Sequence, residues 1–271
     1  MDSWVDGQSD DALSLKDRGL AYGDGLFETI AVKDGRPLLL ERHLQRLALG
    51  CSRLAMVADP ALIRAEVLAY AAALGAGVLK LILTRGDSLR GYAADPAATV
   101  RRILQGSPAP SYPPAYGQTG IRLFPCATRL SSQPLLAGLK HLNRLEQVLA
   151  RAEWQGVDYA EGLMLDLEGR VIEGVFSNVF VVRNGVLATA DLSRCGVAGV
   201  MRAELLFQAS SLGISTEITD INLDQLQAAD EVFVCNSVYG VWPVCAYAAL
   251  SWPVGPLTRK LQGIARSLLD A

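Results

Sequence analysis

The chain has 271 residues and a mass of 29.0 kDa, 51% of it hydrophobic, enough for two modest domains or one large one. Its 25 basic and 28 acidic residues leave a net charge of −3, and basic runs no longer than pairs such as Arg101-Arg102 exclude a nucleic-acid backbone as ligand. Five scattered cysteines argue against a disulfide framework, and two histidines, His43 and His141, with no close cysteine pair leave a metal without ligands. No Gly-x-Ser-x-Gly elbow presents a serine nucleophile. No segment approaches the roughly 18 uninterrupted apolar residues of a membrane span, and Met1-Asp2-Ser3-Trp4 lacks the basic and apolar regions of a signal peptide, so a cytoplasmic, metal-free protein is expected.

The first forty residues read as β structure, with apolar runs at 27–33 and 37–40 joined by the hairpin dipeptide Asp34-Gly35. Just before them, Asp17-Arg18-Gly19-Leu20-Ala21-Tyr22-Gly23-Asp24-Gly25 is glycine-rich. Its backbone either bends sharply and approaches something closely or forms a plain surface loop. A helix is expected over 41–54, with Leu44, Leu47, Cys51 and Leu54 on one stripe. On it Arg46 is either a solvated arginine or a fork-shaped donor for a phosphate. Asp59-Pro60 supplies an N-cap and first-turn proline for a second helix to about Leu74, and 77–84 is an apolar strand. That strand runs into Arg85-Gly86-Asp87-Ser88-Leu89-Arg90-Gly91-Tyr92, whose arginines suit a substrate carboxylate or simply water. After a strand at 99–104, the proline-rich stretch around Pro108, Pro110, Pro113 and Pro114 reads as a linker. The expected division is a first domain at 1–106, a linker at 107–119 and a second domain at 120–271.

The second half opens with a strand at 121–127. There follows Leu136-Ala137-Gly138-Leu139-Lys140-His141-Leu142-Asn143, in which Lys140 follows a glycine turn and opens the apolar pattern Leu142, Leu145, Leu149 and Ala152. This pattern is expected to form a core helix reaching about Trp154. A lysine at the base of such a helix either snorkels to water or is desolvated into a neutral amine able to attack a carbonyl. Runs at 161–166, 170–173, 179–182 and 186–187, turned at Glu168-Gly169 and Asn184-Gly185, read as an antiparallel meander. Within it, Glu173-Gly174-Val175-Phe176-Ser177-Asn178 sets a carboxylate among apolar residues, where it needs a partner. Gly196-Val197-Ala198-Gly199-Val200-Met201 opens a helix to about Leu212, either an ordinary helix entry or a set of free backbone N–H groups for an anion. A strand at 214–219, a short helix at 223–228, the strand 231–235 ending in Asn236-Ser237 and an amphipathic helix at 257–269 complete the chain.

An amine, a buried carboxylate, a helix N-terminus, a strand-end hydroxyl and several arginines suit an aldehyde cofactor with a phosphate and a pyridine nitrogen. The chain resembles the fold-type IV pyridoxal-phosphate enzymes, which include branched-chain and D-amino acid aminotransferases and aminodeoxychorismate lyases. The resemblance covers nearly the whole length. It rests on Asp17-Arg18-Gly19, Tyr22-Gly23-Asp24-Gly25, Phe27-Glu28-Thr29, His43-Leu44-Gln45-Arg46-Leu47, Lys140-His141-Leu142-Asn143, Glu173-Gly174, Ser177-Asn178 and Ala229-Asp230-Glu231-Val232-Phe233 with Asn236-Ser237.

The resemblance implies a mixed α/β (α+β) fold of two domains, the smaller N-terminal one α/β and the larger C-terminal one built on an antiparallel, barrel-like sheet. It makes Lys140 the Schiff-base lysine of pyridoxal 5'-phosphate and pairs Glu173 with the pyridine nitrogen. It assigns the phosphate to Arg46, the Val200 and Met201 backbone and Ser237, with Ser177, Gly199, Asn236 and Asn143 beside the cofactor. Met201 departs from the threonine of the aminotransferases, so only its backbone carries over. Arg90 and Tyr92 match a loop that holds the substrate carboxylate in D-amino acid aminotransferases. The run from Lys140 to Gln147, with Arg18-Gly19 and Thr29, is most similar to the lyase branch, in which 4-amino-4-deoxychorismate gives 4-aminobenzoate and pyruvate in folate synthesis and Thr29 matches a hydroxyl near the lysine. A D-amino acid or branched-chain aminotransferase is the alternative. The family pattern also implies a homodimer acting on a small molecule.

Overall fold

Among the residues described, two sheets organise the chain, one of six strands and one of nine. The structure is a computed structural model and describes every residue except Met1, Leu89, Arg90, Pro96, Ala97 and Ala271. The chain divides into two units, Met1–Pro110 with Leu139–Asn143, and Ser111–Gly138 with Arg144–Ala271.

The first unit contains β1 (Trp4–Val5), β2 (Gln8–Ser9), α1 (Arg18–Tyr22), β3 (Gly25–Lys33), β4 (Arg36–Pro37), α2 (Leu40–Arg53), α3 (Pro60–Leu74), β5 (Gly77–Thr84) and β6 (Arg101–Ser107). Its sheet is antiparallel, in the order β2-β1-β6-β5-β3-β4. Strand β3 alternates as a half-buried strand should: Leu26, Glu28, Ile30 and Val32 are buried, and Phe27, Thr29, Ala31 and Lys33 less so. The buried face meets Leu47 and Cys51 of α2 and Ile63, Val67 and Tyr70 of α3 in one core. Asp34 and Gly35, at φ 50° and 73°, form the tight turn expected between β3 and β4. The Asp59 carboxylate caps α3 through the Ala61 N–H at 2.9 Å, as the Asp59-Pro60 signal implies. The strand expected at 99–104 begins and ends later, at Arg101–Ser107.

The chain returns to this unit for five residues. Leu139 is 1% exposed and joins its core. The Phe27 N–H donates to the Lys140 carbonyl at 2.9 Å, the Leu142 N–H to the Gly25 carbonyl at 3.0 Å, and His141 lies opposite Leu26 in an antiparallel bridge. Lys140 therefore lies on an extended segment paired with the start of β3, and the expectation of a helix beginning there is corrected. The helix starts at Leu145. Its Leu145 and Leu149 are 74% and 60% exposed, so the apolar stripe that suggested a core helix is on the surface of the chain.

The second unit contains α4 (Ala115–Gln118), β7 (Ile121–Leu130), α5 (Leu145–Ala152), β8 (Glu161–Asp166), β9 (Val171–Gly174), β10 (Asn178–Arg183), β11 (Val186–Ala190), α6 (Val200–Ser211), β12 (Thr216–Thr219), α7 (Leu223–Gln227), β13 (Glu231–Asn236), β14 (Gly240–Tyr247), β15 (Leu250–Ser251) and α8 (Pro256–Asp270). Strands β10, β13, β14, β7, β8 and β9 form a ring, because β9 pairs back onto β10 through Glu173 and Asn178. The sheet is thus a barrel closed at the Glu173/Asn178 pair, as the barrel-like expectation has it, with β11 and β12 continuing outward from β10. Strand β7 runs parallel to both neighbours, which the antiparallel reading of this half did not include. Helix α8 packs on β13, β14 and α6. The proline-rich stretch is not free chain: Tyr112 and Tyr116 set their rings edge-on against Trp242 at 4.7 and 5.1 Å. No described helix is long and apolar enough to cross a membrane.

Leu139 anchors the segment bearing Lys140, so Leu139→Ala removes buried contacts of a residue that nothing else replaces. The expected cost is about 2–5 kcal/mol, read as a lowered denaturation midpoint of the first unit.

Candidate active site

In the first unit the backbone pairing of residues 140–142 places the Lys140 side chain over β3. Its Nζ lies 4.2 Å from the centre of the Phe27 ring, within cation–π distance. Thr29 is the next residue on the same face of the strand, two positions on. Glu28 points the other way, into the core, and is 1% exposed. Its carboxylate accepts from Arg46 Nε at 2.8 Å, from a second Arg46 nitrogen and from His43 Nδ1 at 2.6 Å. Burial pushes the Glu28 carboxyl up, but the Arg46 charge and the His43 hydrogen bond outweigh it and hold the carboxyl at about 2. Burial pushes His43 down, helped by the Arg46 and Lys140 charges and opposed by Glu28, so the neutral imidazole donates from Nδ1. Arg46 is thereby tied to the core and not solvated.

Asn143 has a partner within the first unit. Its amide donates to the Gly23 carbonyl at 3.1 Å and crowds Gly23, which ends α1 at φ 65°. Arg85 is committed to structure as well. It pairs with Asp24 at 2.8 Å and donates to the Leu54 and Ala55 carbonyls beyond α2, so it is no free grip for a substrate. Arg90 lies outside the described residues. Tyr92 is 87% exposed, its ring 5.4 Å from that of Tyr22.

In the second unit the pair that closes the barrel also builds the site. Glu173, 3% exposed, accepts from the Val197 N–H at 2.7 Å and from Gln147 Nε2 at 3.3 Å, while Arg144 faces it electrostatically. Asn178 Nδ2 donates to the Val197 carbonyl at 2.8 Å. The two residues thus grip Val197 by both backbone groups, two residues before Gly199, the N-cap of α6. A β-carbon at Gly199 would collide with Asn178 Oδ1, which is why the helix must begin on glycine. No side chain caps α6, so the first-turn N–H groups, those of Val200 and Met201 among them, retain their affinity for an anion.

Two predicted cofactor contacts have structural duties. Ser177 donates its hydroxyl to Glu161 at 2.7 Å. Asn236 donates to the Phe176 carbonyl at 3.2 Å and accepts from the Val238 and Tyr239 N–H groups, which folds the turn that carries Ser237. Glu161, fully buried, also accepts from the N–H groups of Gly162, Val175 and Phe176. Burial outweighs these donors and pushes its carboxyl up to about 7. Glu161 is thus the post to which the turn after Glu173 is tied.

An α/β unit holding an amine and a tethered arginine, and a closed barrel holding a buried carboxylate beside an uncapped helix, define a class of enzyme. The chain belongs to the class IV amino-transferases, whose family model matches residues 25–247. It is similar to the 4-amino-4-deoxychorismate lyase of Pseudomonas aeruginosa, with 61% identity and a TM-score of 0.98 over 99% of this chain and 100% of that one. It is 38% identical over 267 residues to the aminodeoxychorismate lyase of Vibrio harveyi, covering 96% of this chain and 98% of that protein. It is 32% identical to a putative branched-chain-amino-acid aminotransferase of Methanocaldococcus jannaschii, covering 94% and 90%.

Glu28, Glu161 and Val197 were not singled out from the sequence. Glu28 had a usable signal, since it shares its strand parity with Leu26, Ile30 and Val32 and so had to be buried with a cation. Val197 acts only through its backbone and leaves no sequence signal.

Because the folded Glu28 carboxyl is depressed, its contribution is complete above about 4.5 and is lost as pH falls toward about 2. Glu28→Gln should cost about 3–5 kcal/mol at pH 7 and flatten the acid-unfolding curve between those limits. Glu161 has the opposite sign. Its raised carboxyl stabilises the fold below about 4.5, and that stability is lost as pH rises to about 7. Stability of Glu161→Gln, measured by denaturant titration at several pH values, should lack this decline.

Proposed function

We propose that the chain is a pyridoxal-phosphate-dependent lyase that converts 4-amino-4-deoxychorismate into 4-aminobenzoate and pyruvate. The observation that carries the reading is its 61% identity, over the full length, to a lyase of that activity. The donor set fits the cofactor. Lys140 offers a primary amine to the aldehyde. Arg46, Ser237 and the uncapped N–H groups of Val200 and Met201 suit the phosphate, and the Glu173 carboxylate suits a protonated pyridine nitrogen. Gly199 keeps that helix start open, Ser177 and Asn236 brace turns of the second unit, and Asn143 braces the Gly23 turn of the first.

Bound pyridoxal phosphate supplies an aldehyde for the substrate amine and a ring that takes up an electron pair. Lys140 takes the proton from the substrate carbon bearing the amine, and the Phe27 face steadies the ammonium that results. Loss of that proton and rupture of the bond to the enolpyruvyl oxygen make the substrate ring aromatic. The proton taken by Lys140 balances the one that enolpyruvate gains on becoming pyruvate. Thr29, on the same strand face, orients the amine or relays its proton, and Glu173 preserves the positive ring nitrogen. Arg90 and Tyr92 receive substrate carboxylates.

The active form is a homodimer. Leu145, Val148 and Leu149 of α5 are 74%, 59% and 60% exposed, an apolar face suited to a second copy. A cytoplasmic setting agrees with free, buried thiols such as Cys51, Cys126 and Cys235.

Coupled detection of pyruvate from 4-amino-4-deoxychorismate tests the reading. Pyruvate and 4-aminobenzoate are expected in equal amounts, and Lys140→Ala should lower turnover at least ~10²-fold and remove visible absorption. Steady transamination of an amino acid with a keto acid, without 4-aminobenzoate formation, would assign the chain to the aminotransferases instead.

A further inference from the structure

Arg18 is a buried cation that the reaction does not use. Its side chain is 5% exposed and leads from the first position of α1. Nε donates to the Asp24 carboxylate at 2.8 Å. One terminal nitrogen donates to the Gly91 carbonyl at 3.0 Å, to Ser88 Oγ at 3.2 Å and to the Ala93 carbonyl at 3.4 Å, and the other to the Tyr92 carbonyl at 2.9 Å. The guanidinium also lies 5.0 Å from the centre of the Tyr22 ring. Three successive carbonyls thus converge on one cation.

The electrostatics explain why they do. Asp24 is shared, since Arg85 Nε also donates to it at 2.8 Å. One carboxylate therefore serves two guanidinium groups, and the remaining positive charge of the buried Arg18 must be solvated by dipoles. The carbonyls of Gly91, Tyr92 and Ala93 supply them. Gly91 makes this possible at φ 82°, in the left-handed region, with open space where a side chain would be. Residues 91–95 belong to no helix or strand, so the guanidinium does for this segment what a sheet ladder does for a strand. Its backbone is held while the Tyr92 side chain stays 87% exposed, its ring against Tyr22.

We infer that Arg18 is a positioning residue, one that fixes the Gly91–Ala93 backbone and so aims Tyr92 at the substrate carboxylate. The inference rests on the reading of Tyr92 as a substrate contact. Lysine cannot replace arginine in this role, because a compact ammonium has three donors and no planar fork to span the five acceptors.

The test uses the full-length, cofactor-loaded enzyme. Arg18→Lys should raise KM for 4-amino-4-deoxychorismate about tenfold, equivalent to about 1.4 kcal/mol, while changing kcat much less and leaving the visible cofactor band in place. In a Tyr92→Ala background the same substitution should change KM less than about twofold, because neighbours acting through one contact are not additive. Amide hydrogen exchange at Tyr92 and Ala93 should quicken in Arg18→Lys. An unchanged KM, an equal KM effect in both backgrounds, unchanged exchange, or loss of the cofactor band would each overturn the inference. If Arg18→Lys does not fold, Gly91→Val decides. It leaves Arg18 intact and disturbs the same backbone through a side chain that disfavours positive φ, so a similar rise in KM is expected and an unaltered KM overturns the inference. Faster exchange in Arg18→Lys, in a protein whose wild type releases no pyruvate, would sink the lyase reading and leave the clamp standing.

Discussion

Backbone pairing decides where the lysine goes. The Phe27 N–H on the Lys140 carbonyl, the Leu142 N–H on the Gly25 carbonyl and the His141–Leu26 bridge turn residues 140–142 into a short extra strand on β3. Leu139 locks that strand in the core, and strand geometry then sends Lys140 to the face shared by Phe27 and Thr29. Gly25 is required for the approach, since a β-carbon there would collide with the Leu83 carbonyl and crowd Leu142. Pairing and the burial of Leu139 thus fix the backbone that carries the amine and the strand face from which its half-buried side chain extends.

The same economy shapes the other groups. Glu28 holds Arg46 from below, so a guanidinium on a helix acquires a defined direction. Glu173 and Asn178 close the barrel and, in doing so, hold both polar groups of Val197, which sets the entry of α6. Glu161 holds the turn between those two strands. Each anchoring carboxylate is buried and so costly, and each is retained because several donors converge on it.

Much of this was legible in the sequence where the causes are local. Asp34-Gly35 and Asn184-Gly185 gave the hairpins because positive φ at both turn residues is cheap for those side chains, and Asp59-Pro60 gave a helix start for equally local reasons. The misreading at Lys140 had a non-local cause. The spacing of Leu142, Leu145 and Leu149 is helical, but the backbone at 140–142 finds a better partner in β3, more than a hundred residues earlier, and the leucines that follow lie exposed. Glu28 was partly legible through its strand parity. The duties of Asn143, Ser177 and Asn236 were not, because each depends on which carbonyl or carboxylate the fold brings within reach.

The proposed attachment point of the cofactor is Lys140 and no other lysine. Borohydride reduction of the protein loaded with pyridoxal phosphate fixes the attachment irreversibly, and peptide mass mapping then locates it. One phosphopyridoxyl group per chain is expected, on the peptide containing Lys140. Labelling at Lys16, Lys33, Lys80 or Lys260 in its place, or no stoichiometric labelling at all, would rule out that attachment.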